Sequence, residues 1–244
     1  MIYEQIRQKM TEGKKMLAVL IDPDKGIPSL SDFIKQVNAF PPDFIFIGGS
    51  LIFKSVKDMV ESIKKECSIP VVLFPGNALQ FSSNADGLLY LSLISGRNPE
   101  FLIGQHVTSS YAVKKSGIEV LSTGYILVDG GKPTSVGYMS NTMPIPLDKP
   151  EIAVATAIAG ELIGHKLIYL EAGSGALCAI SAEMITAVKQ HIDIPLIVGG
   201  GLRTSFDVQH VLQAGADIVV VGSILEKRPK SLESLVTEVR REVR

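Results

Sequence analysis

Eight short apolar runs recur along the chain, and stretches with helical spacing lie between most of them. Parallel strands joined by crossover helices produce this alternation. Nearly all of the runs are apolar throughout, as strands covered on both faces must be, which favours a closed barrel over an open sheet. The predicted strands are residues 17–21, 44–47, 71–74, 87–91, 119–121 continuing through 125–128, 167–170, 196–198 and 218–221. We therefore predict an α/β fold, a single (β/α)₈ TIM-type barrel in which residues 1–244 form one domain.

The helical patterns occupy the spaces between these runs, with two exceptions. Predicted helices are residues 30–39, 55–65, 99–116, 151–164, 181–191, 205–214 and 231–244, after an N-terminal stretch with helical spacing in residues 1–15. Between residues 74 and 87 the chain is too short and too rich in Gly, Pro, Asn and Ser for a crossover helix, so the third helix is predicted to be missing or reduced to a turn. Residues 129–150 are predicted to contain no helix and to form a lid or a cavity wall.

Composition narrows the class of partner. The formal net charge is −1 and the basic residues are interspersed with acidic ones, so no basic stripe for nucleic acid is present. No apolar run reaches the ~20 residues that a transmembrane helix requires. Cys67 and Cys178 lie far apart without metal-ligand spacing and are interpreted as small buried hydrophobic residues, which favours a reducing, cytoplasmic location. A small molecule is the expected partner.

Glycine-bearing turns follow the last two predicted strands. Strand seven runs into Gly199, Gly200 and Gly201, and strand eight runs into Gly222 and Ser223. In (β/α)₈ barrels these two loops often bind phosphate through backbone N–H groups, and glycine allows the close approach. The alternative is that the glycines form tight turns without a ligand. Their presence in both loops, in the expected order, favours a phosphate site.

Carboxylates stand at two other strand ends. Glu171 ends the sixth strand, and from its position it could be a general base or a salt-bridged residue of the rim. Asp22 ends the first strand and Ser50 follows the second; their oxygens suit Mg²⁺, although the Asp22-Pro23-Asp24 stretch is equally typical of a turn. The four histidines lie in or beside predicted helices without paired metal spacing and are interpreted as structural. No dinucleotide, P-loop or serine-hydrolase motif is present.

Seven motifs along almost the whole chain carry a family resemblance. They are LIDPDK, IGGS, GYILVDGG, SNTMPIP, YLEAGSGA, IVGGGLR and GADIVVVGS. In order and spacing they resemble the geranylgeranylglyceryl phosphate synthase family, and YLEAGSGA and SNTMPIP resemble its second group. The resemblance implies an Mg²⁺-dependent prenyltransferase of ether-lipid (phospholipid) biosynthesis. Such an enzyme joins a polyprenyl diphosphate, typically geranylgeranyl, to the primary hydroxyl of sn-glycerol 1-phosphate. It also implies a homo-oligomer, a dimer or a hexamer.

The resemblance assigns roles to particular residues. Asp22 and Ser50 match the Mg²⁺ position, and Glu171 matches the proposed catalytic base. The residues that match the glycerol-phosphate pocket are Tyr169, Leu170, Glu171, Ala172, Gly173, Ser174, Gly175, Gly200, Gly201, Gly222 and Ser223. Two positions depart from the pattern: many relatives have threonine where Ser50 stands, and some have a lysine where this chain has Leu20.

Two further hypotheses concern the prenyl diphosphate. Arg97, after the fourth strand, is a candidate contact for the diphosphate, although a surface arginine is the more common explanation. The missing third helix would open an apolar groove for the prenyl tail beside Phe74, Phe81, Tyr90 and Tyr125. The alternatives for the whole chain are another phosphate-binding barrel enzyme, such as a sugar-phosphate isomerase or lyase, and a non-catalytic barrel that binds a phosphorylated metabolite.

Overall fold

The computed structural model describes residues 1–25 and 29–241 and shows a closed parallel barrel. Its strands pair in chain order, and β1 pairs with β8 to close the ring. The strands are β1 Met16–Ile21, β2 Phe44–Ile47, β3 Val71–Leu73, β4 Gly87–Leu93, β5 Glu119–Leu127, β6 Leu167–Glu171, β7 Leu196–Gly199 and β8 Ile218–Val221. The predicted (β/α)₈ barrel is therefore confirmed. The fifth strand is continuous over Glu119–Leu127, as predicted, and ends one residue earlier than expected.

Helices surround the barrel. They are α1 Ile2–Thr11, α2 Leu30–Ala39, α3 Val56–Glu66, α4 Gln105–Ser116, α5 Ser135–Ser140, α6 Pro150–Leu162, α7 Ala182–Lys189, α8 Ser205–Gln213, α9 Ser223–Lys227 and α10 Leu232–Arg240. A π-helical turn, Glu100–Gly104, leads into α4, and a 3₁₀ turn, Pro229–Ser231, leads into α10. The predicted C-terminal helix extended to residue 244, and residues 242–244 lie outside the described part of the chain.

Two layers of apolar side chains form the core, because successive residues of a strand face opposite sides. One set fills the barrel and includes Met16, Phe46, Tyr125 and Tyr169; the other lies between the strands and the helices. Ile2 and Ile6 of α1 are buried against the inner set. The N-terminal helix therefore closes one end of the barrel and leaves the carboxyl ends of the strands for ligands.

The connection from β3 to β4 contains no helix: residues 74–86, all described, form turns and bends. The prediction of a missing third helix is confirmed. By contrast, the prediction that residues 129–150 contain no helix is wrong, because α5 forms within them. The Thr134 side chain caps its N-terminus by accepting a hydrogen bond from the Gly137 N–H, and Asn141 ends it in the left-handed region, at φ 49°.

The two cysteines differ in exposure. Cys67 is buried as predicted, but Cys178 is exposed. The prediction for Cys178 is wrong because this residue lies in the loop between β6 and α7, outside both core layers. Both thiols are free.

Candidate active site

A polar cavity lies at the carboxyl ends of the strands, which we call the mouth. It encloses about 930 Å³, open solvent included. Ten of the residues assigned by sequence line it together: Asp22, Ser50, Tyr169, Glu171, Gly173, Ser174, Gly200, Gly201, Gly222 and Ser223. The loops after five strands thus meet at one place, as their positions in the sequence predicted.

Four of the assigned residues do not line the mouth. Leu170 and Ala172 belong to the core layer between strands and helices, because the alternation along β6 turns Tyr169 and Glu171 inward and their neighbours outward. Gly175 lies behind the loop, where an added Cβ would stand 3.6 Å from the Lys132 Nζ. Arg97 donates hydrogen bonds to the carbonyls of Ser95 and Gly96 beside it.

Glu171 is the buried carboxyl group of the mouth. Its side chain accepts a hydrogen bond from the Gly173 N–H, with 2.7 Å between Oε1 and N. Burial raises the pKa of Glu171 above its ordinary value of 4.5, while the Gly173 N–H, Tyr169 and the Lys25 ammonium act in the opposite direction. Such a group is a stronger base than an exposed glutamate, and it is held in one orientation.

Two tyrosines lie under this carboxylate. The rings of Tyr125 and Tyr169 are 5.3 Å apart between centroids, in an edge-to-face arrangement, and Phe74 is 5.3 Å from Tyr169. Burial raises the pKa of both tyrosines well above the ordinary value, and the Glu171 carboxylate adds to the effect. The Tyr169 hydroxyl is buried beside the Glu171 carboxylate and has no other partner among the described residues. Its position favours the ionised form of Glu171 and so opposes the effect of burial on the pKa of that carboxyl.

The glycine turns lie in direct contact with this carboxylate. Gly200 has φ +84°, and a Cβ on it would stand 2.5 Å from Glu171 Oε1 and 2.8 Å from the Ala172 N. Gly173 has φ +94°, and a Cβ there would stand 2.4 Å from a carbon of Thr134. Neither position accepts a side chain, because the backbone is left-handed and the space is filled. The loops after β6 and β7 are packed against each other through these glycines.

A second group of oxygen donors lies across the mouth. The Asp22 carboxylate accepts a hydrogen bond from the Asp24 N–H at 3.0 Å, and a Cβ on Gly49 would stand 3.0 Å from its Oδ2. The Asp24 carboxylate accepts hydrogen bonds from the N–H groups of Phe53 and Lys54, which hold its pKa below the usual range. These bonds tie the loop after β1 to the loop after β2. They explain why Asp22 and Ser50 line the same cavity.

The donor set fits a hard cation that takes few protein ligands. Among residues 1–25 and 29–241, no three His, Cys, Asp or Glu residues form a metal-binding group. Mg²⁺ is usually held by one or two carboxylates together with water and substrate phosphate oxygens. One carboxylate and one hydroxyl beside glycine turns suited to a phosphate agree with this mode of binding and not with a closed protein cage.

Two charged residues line the mouth without having been predicted as site residues, Lys25 and Glu226. The Lys25 ammonium donates to Ser174 Oγ at 2.9 Å and forms an ion pair with Asp22 Oδ2 at 3.3 Å. Burial raises the pKa of Glu226, and Asp22 acts in the same direction while Lys25 opposes it. Lys25 ends the LIDPDK motif, three residues after Asp22, and this place in the motif is a signal that could have found it. Glu226 lies in the short helix α9, which the sequence pattern does not reveal.

An apolar groove continues from the mouth, with a volume of about 870 Å³, open solvent included. Phe74 and Tyr125 line both cavities, so the two are joined. Phe81 and Tyr90, predicted for this role, line the groove. It runs past the β3–β4 connection, where the third helix is missing.

Two other elements form walls of the groove. Val136 and Met139 of α5 line it, so part of the predicted lid segment does form a cavity wall. His106 of α4 also lines it, in edge contact with the Tyr90 ring at 4.4 Å between centroids. The Tyr90 hydroxyl donates to the His106 carbonyl at 2.7 Å, which fixes the ring of Tyr90 against the helix.

The barrel, the glycine turns and the groove together define a class: a (β/α)₈ barrel whose polar mouth opens into an apolar groove. Comparison with known proteins gives the family. The PcrB family model matches residues 8–241, and the chain therefore belongs to the PcrB family. This membership confirms the prediction of a prenyltransferase of the geranylgeranylglyceryl phosphate synthase family.

Two relatives illustrate the similarity in sequence. The geranylgeranylglyceryl phosphate synthase of Chitinophaga pinensis is 50% identical over 240 residues, which are 98% of this chain and 95% of the relative. The synthase of Pyrococcus abyssi is 39% identical over 247 residues, which cover 97% of this chain and 95% of the relative. Synthases from both organisms thus align with nearly the whole chain.

Solved structures give the same result. The crystal structure of (S)-3-O-geranylgeranylglyceryl phosphate synthase from Thermoplasma acidophilum, in complex with substrate sn-glycerol-1-phosphate, superposes with a TM-score of 0.91 at 31% identity and covers 98% of each chain. The synthase of Thermoplasma volcanium gives 0.88 at 33% identity, covering 98% of this chain and 96% of the other. Within the described ranges, every helix is too short or too polar to cross a membrane.

Proposed function

We propose that the protein transfers a polyprenyl group, geranylgeranyl in the first instance, from its diphosphate to the primary hydroxyl of sn-glycerol 1-phosphate. One observation carries the proposal: the buried Glu171 carboxylate lies between glycine turns suited to a phosphate and an apolar groove that opens into the same mouth. A sugar-phosphate isomerase has no use for such a groove. The Thermoplasma acidophilum relative, which was solved with sn-glycerol-1-phosphate, supports the choice of acceptor.

The acceptor would be held by the loops after β6, β7 and β8. Backbone N–H groups at Gly200, Gly201, Gly222 and Ser223 would bind its phosphate. The backbone of residues 169–175, including Leu170, Ala172 and Gly175, whose side chains point elsewhere, would surround the glycerol part. A phosphate held at these turns would leave the glycerol hydroxyls near the Glu171 carboxylate.

The donor would lie on the other side, with its tail in the groove. Phe74 and Tyr125 line both cavities and would contact the reactive end of the chain, while Phe81 and Tyr90 would contact the tail. Burial of apolar chain surface stabilises the complex by roughly 25 cal/mol per Å² removed from water. Contact of Arg97 with the diphosphate stays a prediction.

The cation would be Mg²⁺, held by Asp22 and Ser50. Prenyl transfer of this kind typically needs a divalent metal, which neutralises charge on the diphosphate leaving group. The Asp22 carboxylate forms an ion pair with the Lys25 ammonium, at 3.3 Å between Oδ2 and Nζ. Asp22 is thus already positioned to bind positive charge at the side of the mouth opposite Glu171.

The chain's own groups then perform the proton transfer. Glu171 accepts the proton of the primary hydroxyl, the hydroxyl oxygen forms a bond to the allylic carbon, and the bond from that carbon to the diphosphate oxygen breaks. The raised pKa of Glu171, caused by burial, makes it a better base, and the Gly173 N–H keeps its carboxylate in place. Holding both anionic ligands in one mouth converts their encounter into an oriented reaction.

An assay with sn-glycerol 1-phosphate and a series of prenyl diphosphates tests the proposal. Ether product should form with Mg²⁺ and disappear with EDTA, and Asp22→Asn should raise the Mg²⁺ concentration needed for half-maximal rate. Asp32→Asn, on the exposed surface of α2, is the matched control. Inactivity with every chain length, in the presence of metal, would refute the assignment.

We also propose a cytoplasmic location and a homo-oligomer, a dimer or a hexamer. Two free thiols agree with a reducing compartment. Exposed apolar side chains Ile103, Val107 and Tyr111 follow one face of the helix leading into and forming α4, which supports contact with another copy. Light scattering of the purified protein measures the assembly state.

A further inference from the structure

The Lys25 side chain crosses the mouth from the loop after β1 to the loop after β6. Its Nζ lies 2.9 Å from Ser174 Oγ. In the barrel, β1 is followed by β8 and then β7 before β6 is reached. The contact therefore spans the ends of the two strands whose glycine turns would hold a phosphate.

The lining of the mouth carries more acidic than basic side chains, which is unfavourable for an anionic ligand. Its described lining contains three carboxyl groups, Asp22, Glu171 and Glu226, and Lys25 is the only basic residue in that lining. Leu20, on the same strand end, contributes an apolar surface. A phosphate placed among these carboxylates requires positive charge nearby, and the lining offers that charge from one side chain.

The Lys25 ammonium remains open to solvent. Its side chain is 45% exposed, while that of its ion-pair partner Asp22 is 11% exposed, so water screens the pair from the side of the lysine. The Ser174 hydroxyl is a neutral acceptor. A phosphate oxygen would accept a stronger hydrogen bond from the ammonium, because hydrogen bonds to charged acceptors are roughly twice as strong as those to neutral ones. The ammonium is therefore poised to exchange Ser174 for a phosphate oxygen.

We propose that Lys25 binds the phosphate of sn-glycerol 1-phosphate, beside the backbone N–H groups of Gly200, Gly201, Gly222 and Ser223. This inference rests on the proposed function. Lys25 is then a substrate-binding residue that closes over the phosphate from the β1 side. It supplies from the loop after β1 the positive charge that the apolar Leu20 does not supply from the strand itself.

Calorimetry in the presence of Mg²⁺ tests this role with two ligands, sn-glycerol 1-phosphate and inorganic phosphate. In Lys25→Met, the Kd of both ligands should rise about tenfold to hundredfold, the range expected for a lost hydrogen bond to a charged group. Lys25→Arg should recover part of the affinity. Lys35→Met, an exposed lysine of α2 away from the mouth, should leave both Kd values unchanged. The KM for the prenyl diphosphate should change much less than that for the acceptor.

Three outcomes would overturn the inference. Unchanged affinity of Lys25→Met for both ligands would show that the ammonium does not reach the phosphate. Weaker binding of glycerol phosphate with unchanged binding of inorganic phosphate would place it on the glycerol hydroxyls. If wild-type protein neither binds sn-glycerol 1-phosphate nor forms product, the proposed function fails and this inference falls with it; an active wild type with an unaffected Lys25→Met removes the inference alone.

Discussion

The Glu171 carboxylate accepts a hydrogen bond from the N–H of Gly173, two residues further along, at 2.7 Å between Oε1 and N. The proposed base is thereby attached to the loop that would surround its substrate. A shift of that loop would also shift the hydrogen bond that orients the carboxylate, so binding of the acceptor would be coupled to the position of the base.

Glu171→Gln should lower kcat by about a hundredfold to ten-thousandfold, the usual contribution of a general base. Binding of sn-glycerol 1-phosphate should change little, because glutamine has nearly the same shape and its carbonyl can still accept from the Gly173 N–H. Steady-state kinetics and calorimetry measure the two effects. Glu183→Gln, on the exposed side of α7, is the control and should match wild type. A variant that loses binding and turnover in parallel would contradict a role as base.

The rate should depend on the protonation of Glu171. Only the ionised carboxylate accepts a proton, and burial raises its pKa above 4.5, so kcat/KM should fall about tenfold per pH unit below an inflection that lies above 4.5. A profile measured at saturating Mg²⁺ tests this. Glu171→Gln should lose the inflection, and an identical inflection in that variant would assign it to another group.

The free energy of unfolding should respond to the ionisation of Glu171 in the opposite direction from the rate: ionisation raises the rate but lowers the stability. Because the folded-state pKa of Glu171 is raised, ionisation costs the folded state free energy, so this group's contribution to stability is lost as pH rises from 4.5 through the raised pKa. In ligand-free protein, Glu171→Gln should therefore raise Tm relative to wild type at pH 7, and the gain should shrink near pH 4. A gain that is equal at both pH values, measured by thermal unfolding, would contradict the burial argument.

Gly200→Ala should abolish acceptor binding. The left-handed backbone costs a non-glycine residue roughly 1–2 kcal/mol, and the new Cβ would also stand 2.5 Å from Glu171 Oε1. Gly117→Ala is a matched control, since Gly117 has φ +72° but nothing within 4 Å of an added Cβ. It should lose similar backbone energy and keep its Kd for sn-glycerol 1-phosphate. Equal binding by both variants would show that the Gly200 turn does not touch the ligand.

Phe81→Ala and Tyr125→Ala should reduce activity on long prenyl diphosphates more than on short ones. Both side chains line the groove, and Phe81 lines it without reaching the mouth. Competition between prenyl diphosphates of different length measures the preference. Phe206→Ala removes an exposed phenylalanine of α8 and serves as the control. An unchanged preference in Phe81→Ala would exclude the groove as the site of the tail.

Much of this arrangement could be predicted because, in a (β/α)₈ barrel, a residue's place relative to the strands determines the end of the barrel at which it lies. Asp22, Ser50 and Gly200 follow strands and Glu171 ends one, and the carboxyl ends of parallel strands meet at one end of a barrel. The missing third helix was also evident, because twelve or so residues without helical spacing cannot form a crossover helix.

The features that could not be predicted depend on side-chain contacts, which the spacing of apolar residues in the sequence does not describe. Helix α5 forms in a glycine-rich segment because Thr134 and Asn141 cap it at both ends. The YLEAGSGA motif assigns Leu170 to the glycerol-phosphate pocket together with its neighbours. The alternation along β6, however, places the Leu170 side chain in the core layer between strands and helices. Lys25 reaches Ser174 across the mouth, and the direction of a long side chain in a loop cannot be predicted from its place in the chain.

The helix-free connection between β3 and β4 separates two directions of approach. In the proposed reaction, polar ligands would enter the mouth at the carboxyl ends of the strands, and an apolar chain would lie in the groove at the side, lined by Phe81 and Tyr90. Neither substrate would then block the path of the other, so the two could bind in either order. A product with a phosphate at one end and a long tail at the other also spans both exits, and it can leave tail first from the flank of the barrel while its charged end is still held.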